Sequence, residues 1–421
     1  MWRTVSFVER VEVDFDGNLF NQALTLADID NDKANELIVG NTEGDLAIFK
    51  GTNRTPWKVC TDLGMITCIG VGDVYGKGKN ILVVLTAEGW CYLFEVKGES
   101  SSGENGKETE EELDKIVKPS FTQHLPANGK VLLIADIDGD GQTEVVVGYS
   151  DRVVRCFTWS VSQDHEAEQA SGKFLQSGKW QLTGQIGSLT VNMCEDGRPE
   201  LLVSQPGGTY VTLYHDTEEE DANIHKFENE RLGISRTRNT SISTEIVGGI
   251  KKGIRGEPFE AGTFYALCTL DGTLLLVENK QILWSLQVDH QLFSLTKLDI
   301  TGNGKEEVVC CAWDGQTYIV NHTRDVVRYH FEENVKAFTA GQFSVTSSDN
   351  VPCFVYATFN NKIYIYYNIS LPQVESTNLI EVMDRIPETH QLLQQLNIIN
   401  PDTKKLREIY HWCLYGKKAQ T

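Results

Sequence analysis

The chain has 421 residues, 38 of them Lys or Arg and 59 Asp or Glu, so its formal net charge is −21. This excess of acid argues against nucleic acid or an anionic membrane surface as a partner held by bulk electrostatics. No apolar run reaches the roughly 18 residues of a membrane span, and the first ten residues do not resemble a signal peptide. Ten cysteines without a CxxC spacing indicate reduced thiols in a cytoplasmic protein rather than a disulfide scaffold.

One pattern recurs along the chain: an apolar strand, a tight turn and a second strand. Short β-rich runs joined by Gly, Asp or Asn are typical of hairpins. Their spacing, about 43 to 64 residues, suits a four-stranded propeller blade with or without an insertion. The seven predicted turns are Glu43-Gly44, Glu88-Gly89, Ser150-Asp151, Gly207-Gly208, Asp271-Gly272, Asp314-Gly315 and Asn360-Asn361.

The segments between the hairpins supply two further strands for each unit. The two strands of each hairpin are B and C. An inner strand A precedes each hairpin, as at 131–135, and an outer strand D follows it, as at 284–288. We therefore predict an all-β fold, a seven-bladed β-propeller over residues 1–372. The last hairpin lacks an outer strand, so the N-terminal strand, within 5–15, is expected to complete the last blade and remove a free edge.

Three segments interrupt the repeat and hold most of the negative charge. Residues 98–118, 160–178 and 214–240 are rich in Ser, Gly, Glu and Asn, a composition typical of flexible insertions. They follow C strands, so we expect them on the same face of the ring as the A–B loops. That arrangement favours the opposite face or the outer edges for partner binding.

The last 49 residues, 373–421, change to a helical pattern. Leu406, Ile409 and Tyr410 lie on one face of the final predicted helix, and basic residues surround them. Such a tail either packs on a blade or docks into a partner, and the sequence leaves both alternatives open.

Two A–B loops carry acids at alternate positions, the arrangement that wraps oxygen ligands around a hard cation such as Ca²⁺. The alternative is a turn capped by aspartate that needs no ion. Related loops begin at Asp73 and Asp299. In the first, Lys77 replaces one acid; in the second, the side chains are weaker ligands than carboxylates. The candidate ligands of a structural ion are Asp28, Asp30, Asp32, Ala34 and Glu36 in the first loop and Asp136, Asp138, Asp140, Gln142 and Glu144 in the second, with Ala34 and Gln142 offering carbonyl oxygens.

These loops, each followed by an apolar strand, resemble the FG-GAP repeats of integrin-alpha propellers. Phrases at 87–90, 149–155, 268–274, 287–293 and 312–319 resemble the integrin-alpha FG-GAP repeat-containing protein 2 family more specifically. The resemblance runs from about residue 6 to about residue 396.

The resemblance implies a non-enzymatic scaffold subunit of the KICSTOR complex, beside a second propeller subunit and a large scaffold subunit. It also implies a role in holding a GATOR-type Rag-GTPase-activating complex at the lysosome. That role restrains mTOR signalling when amino acids or glucose are scarce. The lysosomal membrane would be reached only through the complex, and no cofactor would be required.

Two other classes of propeller remain as alternatives: a hydrolase or lyase, and an extracellular calcium-dependent adhesion module. The nine histidines show no ligand spacing, and no nucleophile elbow or phosphate loop appears. His290 beside Asp289 is the best catalytic pair on offer, and a structural hydrogen bond is the simpler use of it. The sequence therefore predicts no catalytic residue, and it assigns no residue to partner binding.

Overall fold

The computed structural model describes residues 3–4, 9–98, 115–161, 172–194, 197–214, 227–231, 240–253, 262–346, 349–369 and 371, with six residues of the tail. Its backbone forms seven antiparallel blades, as the seven turns predicted. Residues 1–371 make one compact unit and residues 372–421 a second.

Each blade runs from an inner strand A to an outer strand D. Blade one contains β3 (Leu24–Ala27), β4 (Glu36–Gly40), β5 (Leu46–Phe49) and β6 (Lys58–Cys60). Blade two contains β7 (Ile66–Gly72), β8 (Ile81–Thr86), β9 (Trp90–Phe94) and β10 (Phe121–His124). Blade three contains β11 (Gly129–Ala135), β12 (Glu144–Tyr149), β13 (Val153–Val161) and β14 (Gly172–Gln181). Blade four contains β15 (Leu189–Met193), β16 (Pro199–Gln205), β17 (Thr209–Leu213) and β18 (Phe227–Arg231).

The remaining blades follow the same order, with the N-terminal strands added at the outside. Blade five contains β19 (Thr244–Ile250), β20 (Phe264–Thr269), β21 (Thr273–Glu278) and β22 (Gln281–Gln287). Blade six contains β23 (Leu292–Leu298), β24 (Glu307–Ala312), β25 (Gln316–Val320) and β26 (Val326–His330), with β1 (Arg3–Thr4) parallel to β26. Blade seven contains β27 (Val335–Thr346), β28 (Asp349–Thr358) and β29 (Lys362–Tyr367), and β2 (Glu9–Asp14) pairs with β29 as its outer strand.

The hydrophobic core lies between neighbouring blades. The central B strands are buried on both faces, as the wholly buried β4, β8, β12 and β24 illustrate. One cluster joins Val355 of blade seven to Phe49 of blade one, and similar clusters fill the other interfaces. Eight of the nine cysteines that the structure describes are buried among these apolar side chains. Burial of apolar surface between blades therefore holds the ring together.

Glycine in the B–C turns of blades one, two, four, five and six lets each of these turns contact its own D–A connection. Gly272 has φ +87°, and a Cβ atom there would collide with the carbonyl of Val288. The Val288 amide in turn donates to the Gly272 carbonyl at 2.9 Å. Gly315 and Phe331 make the same pair in blade six, at 3.0 Å. The Gly of the predicted turn motifs is thus required by a positive φ and a close backbone approach.

The predicted insertions and tail fall largely outside the described residues. Residues 99–114, 162–171, 215–226 and 232–239 belong to this excluded part, as does most of 373–421. The parts described differ from the prediction at two places: β14 begins at Gly172 and β18 lies within 214–240, so strand D starts inside two of the predicted insertions. In the tail, Lys405, Glu408, His411, Trp412 and Tyr415 are helical.

Candidate metal centre

The ring has two faces, which differ in the segments that form them. We call the side of the A–B and C–D loops the loop face, and the side of the B–C turns and D–A connections the turn face. The predicted metal loops lie on the loop face, directly after strands β3, β11 and β23.

The first aspartate of each acidic loop folds the loop around its own carboxylate. Asp28 accepts hydrogen bonds from the amides of Asn31 at 2.7 Å and Lys33 at 2.8 Å. Asp136 accepts from Gly139 at 2.6 Å and Gly141 at 2.9 Å, and Asp299 repeats the pattern. These loops are turns capped by the carboxylate of their first aspartate.

The last acid of each loop is buried beneath the turn. Oε2 of Glu144 accepts from the Ile137 amide at 3.0 Å, and Glu36 and Glu307 make the equivalent bond. Burial raises the pKa of each of these three glutamates to about 7, against the lowering effect of the amide bond. A cation beside such a glutamate would favour its ionised form.

In blade one that cation is a lysine. Nζ of Lys50 lies 2.6 Å from Oδ2 of Asp30, 2.7 Å from Oδ2 of Asp32 and 3.0 Å from Oε1 of Glu36. The side chains of Asp30 and Glu36 are 1% and 0% exposed. Although burial alone would lower it, hydrogen bonds to the three carboxylates raise the pKa of Lys50 above its usual value. The ammonium group thus contacts three of the five residues that the sequence offered as ligands of an ion.

Sequence reasoning missed Lys50 because it comes from another strand. It directly follows β5, where Phe49 pairs with Leu37, the residue after Glu36. A basic residue immediately after a C strand, opposite an acidic A–B loop, is the signal that could have found it.

The equivalent residue of blade three is Thr158, which carries no charge. Phe157 pairs with Val145, the residue after Glu144, in the register that Phe49 has with Leu37. The carboxylates of Asp136, Asp138 and Glu144 each offer an oxygen, and these oxygens lie within 4.8 Å of one another. Asp140 accepts the Gln142 amide at 2.7 Å, as Asp32 accepts the Ala34 amide in blade one. The residues present in blade three fit a hard cation with oxygen ligands.

His290, which the sequence offered as a catalytic candidate, contacts an aspartate of a neighbouring turn. Nδ1 of His290 lies 2.6 Å from Oδ2 of Asp314, in the B–C turn of blade six. The sequence suggests a pairing of His290 with its neighbour Asp289. The hydrogen bond that the structure shows instead joins His290, in the connection between blades five and six, to the B–C turn of blade six.

No helix in the described part of the chain is long and apolar enough to cross a membrane.

Comparison with known proteins gives a family and a fold. The family model for integrin-alpha FG-GAP repeat-containing protein 2 matches residues 50–371. A mouse relative, KICSTOR complex protein ITFG2 of Mus musculus, is 47% identical over 98% of this chain and 96% of its own. The Bos taurus protein of the same name is 45% identical over 92% of this chain and 75% of its own.

Solved structures give the same architecture at low identity. Two crystal structures of BBS1N in complex with ARL6DN, soaked with mercury and with lead, align with TM-scores of 0.54 and 0.56. They cover 87% and 89% of this chain and 99% of their own, at 13% and 12% identity. At such identity the likeness shows a shared fold and nothing of function.

Proposed function

Because the chain belongs to the integrin-alpha FG-GAP repeat-containing protein 2 family, we propose that it is a non-enzymatic scaffold subunit of a KICSTOR-type complex. The observation that carries the proposal is the 47% identity to a KICSTOR complex protein along 98% of the chain. The matched region spans the blades and the loops between them, because it leaves out only about 2% of the chain. The bond between His290 and Asp314, which ties two neighbouring segments of the ring, supports a structural use of that histidine.

The finer role proposed here is nutrient-dependent. The assembled complex would include a second propeller subunit and a large scaffold subunit. It would hold a GATOR-type Rag-GTPase-activating complex at the lysosomal surface. Loss of this chain would then leave mTOR signalling active when amino acids or glucose are withdrawn. The propeller would reach the lysosome through its partners.

Affinity purification of the tagged full chain from cells tests membership. We expect the large scaffold subunit and the second propeller subunit to co-purify in mild salt. Their absence from the eluate of correctly folded chain would contradict the proposal. In cells lacking the chain, recruitment of the GATOR-type complex to lysosomes on amino-acid withdrawal tests the finer role.

The C-terminal tail is proposed as a docking element, with packing on a blade as the alternative. A chain that ends before residue 376 separates the two. Loss of partner recovery with an unchanged melting temperature would support docking. Unchanged recovery with a lowered melting temperature would support packing.

We also propose that a structural Ca²⁺ binds in blade three and not in blade one. The support is the contrast between Lys50, whose ammonium contacts three carboxylates, and the neutral Thr158 at the equivalent position. When bound, the ion would link the carboxylates of Asp136, Asp138 and Asp140 and keep the buried Glu144 ionised. Such an ion would stabilise the loop and take no part in chemistry.

A further inference from the structure

The turn face carries exposed apolar side chains on one side of the ring. Five large ones project there: Phe20, Met65, Trp90, Trp313 and Phe359, with exposed fractions of 44, 40, 42, 39 and 57%. They belong to the turns and connections of blades six, seven, one and two, which are consecutive around the ring. Among the described turn-face residues of blades three to five, no large apolar side chain is comparably exposed. We call these five residues the apolar arc.

Ring contacts hold two of the five side chains of the arc in place. The ring of Trp313 stacks on Phe293 with a centroid distance of 4.3 Å, and Trp90 meets His124 edge-on at 4.9 Å. Near Phe20, the side chain of Asn21 accepts from the Phe338 amide at 2.9 Å. Aromatic groups that are held in place and half exposed lose little entropy on binding, which is typical of interface anchors.

The turns and connections that carry the arc hold charge of a single sign, and Lys362, which begins β29 directly after one of them, is ion-paired with Glu12. The turns and connections that carry it are 15–23, 41–45, 61–65, 87–89, 288–291, 313–315, 331–334 and 359–361, all of them described, and they contain no Lys or Arg. They contain nine acids: Asp16, Glu43, Asp45, Asp62, Glu88, Asp289, Asp314, Glu332 and Glu333. Lys336, at the start of β27, is buried, and its ammonium donates to the Gly17 carbonyl at 2.8 Å. An anionic partner would therefore be repelled from this surface, and a cationic one attracted.

We propose that the apolar arc binds a segment of another KICSTOR-type subunit that is rich in Lys and Arg and carries apolar side chains between them. Charge complementarity selects this occupant, since the arc combines aromatic faces, which attract cations, with carboxylates in the same turns and connections. The assignment rests on the proposed membership of such a complex and deepens it. It names the face of the ring that docks and the chemistry of the segment that binds there.

Two double variants test the proposal in the full chain, co-expressed with the other KICSTOR-type subunits. Phe20→Ser with Phe359→Ser removes apolar anchors, and Glu43→Lys with Glu332→Lys reverses two exposed charges. We expect each pair to weaken partner binding at least about tenfold, because anchor residues dominate interface energies. Binding by the wild-type chain should also weaken as salt is raised.

Matched controls lie elsewhere on the ring. Ile282 and Leu283, on the outer strand of blade five, are 41 and 45% exposed, so changing both to Ser removes similar apolar area. Glu95→Lys with Asp349→Lys makes the same charge change at exposed positions away from the arc. We expect both controls to bind within about twofold of wild type, since substitutions outside the contact change affinity little.

Zero-length carbodiimide cross-linking locates the contact directly. We expect Glu43 or Glu332 to be joined to lysines of a partner subunit. Cross-links from these acids only to this chain's own Lys404 or Lys417, or to a second copy, would overturn the proposal. Equal partner recovery by wild type and both arc variants would overturn it while leaving membership intact. Failure of the wild-type chain to recover any subunit would overturn both.

Discussion

Blades one and three carry nearly the same acidic loop, yet the residue at the equivalent position on the opposite chain segment differs between the two blades. Both loops close on their first aspartate and bury their last glutamate. In blade one, three carboxylates bind the ammonium of Lys50, whereas blade three has Thr158 at that position. The carboxylates of a metal-type loop can thus bind a cationic side chain that directly follows a different strand. The acids alone therefore do not decide whether an ion binds.

The largest effect is expected from Lys50→Thr, which gives blade one the residue of blade three. Removing one partner of a buried ion pair leaves charges uncompensated, so we expect a loss of about 3 kcal/mol in the free energy of unfolding. Urea denaturation in the presence of a chelator measures it. The same change at the exposed Lys79 is the control, with an expected effect of no more than about 0.5 kcal/mol. Calcium should restore part of the stability lost in Lys50→Thr. A variant as stable as wild type without calcium would contradict a stabilising role of Lys50 in blade one.

A somewhat smaller effect is expected from Ca²⁺ on the wild-type chain. An ion that binds the folded state only, at about a hundredfold excess over its Kd, adds about 2.7 kcal/mol of stability. Calorimetric titration should give one ion for each chain. Asp138→Asn with Asp140→Asn should abolish the calcium-dependent rise in melting temperature. Two ions, or one that survives this double substitution, would contradict the assignment to blade three.

The smallest effect is expected from Thr158→Lys, which gives blade three the residue of blade one. The new ammonium would lie beside Asp138 and Glu144. In the absence of calcium we expect it to raise the free energy of unfolding by about 1 kcal/mol, after the entropic cost of ordering a long side chain. The melting temperature should then no longer respond to calcium. Thr158→Met, which adds length without charge, is the control. A calcium response that persists in Thr158→Lys would show that the two positions are not equivalent.

The fold could be predicted from the sequence because its signals are local. Turns such as Asp271-Gly272 need a positive φ at glycine, and the B strand before that turn is mostly apolar and wholly buried, so the pattern of apolar runs and turn residues located the hairpins. The candidate site could be predicted only in part. The capping role of Asp136 follows from its own loop, whereas Lys50 meets Asp30 across 20 residues through the pairing of β4 with β5. Register of that kind is set by tertiary structure, and so is the bond between His290 and Asp314.

The N-terminal strand has a consequence for how the chain reaches its folded form. Glu9 pairs with Tyr367, so the ring is joined by residues more than 350 positions apart. While the ribosome is still making blade seven, β2 has no partner strand, and the incomplete propeller ends in open sheet edges. Closure must await nearly the whole propeller, and contacts of such long range form slowly. A premature stop anywhere in the last blade would therefore leave the other six without a closed ring, which makes the finished chain an all-or-none product.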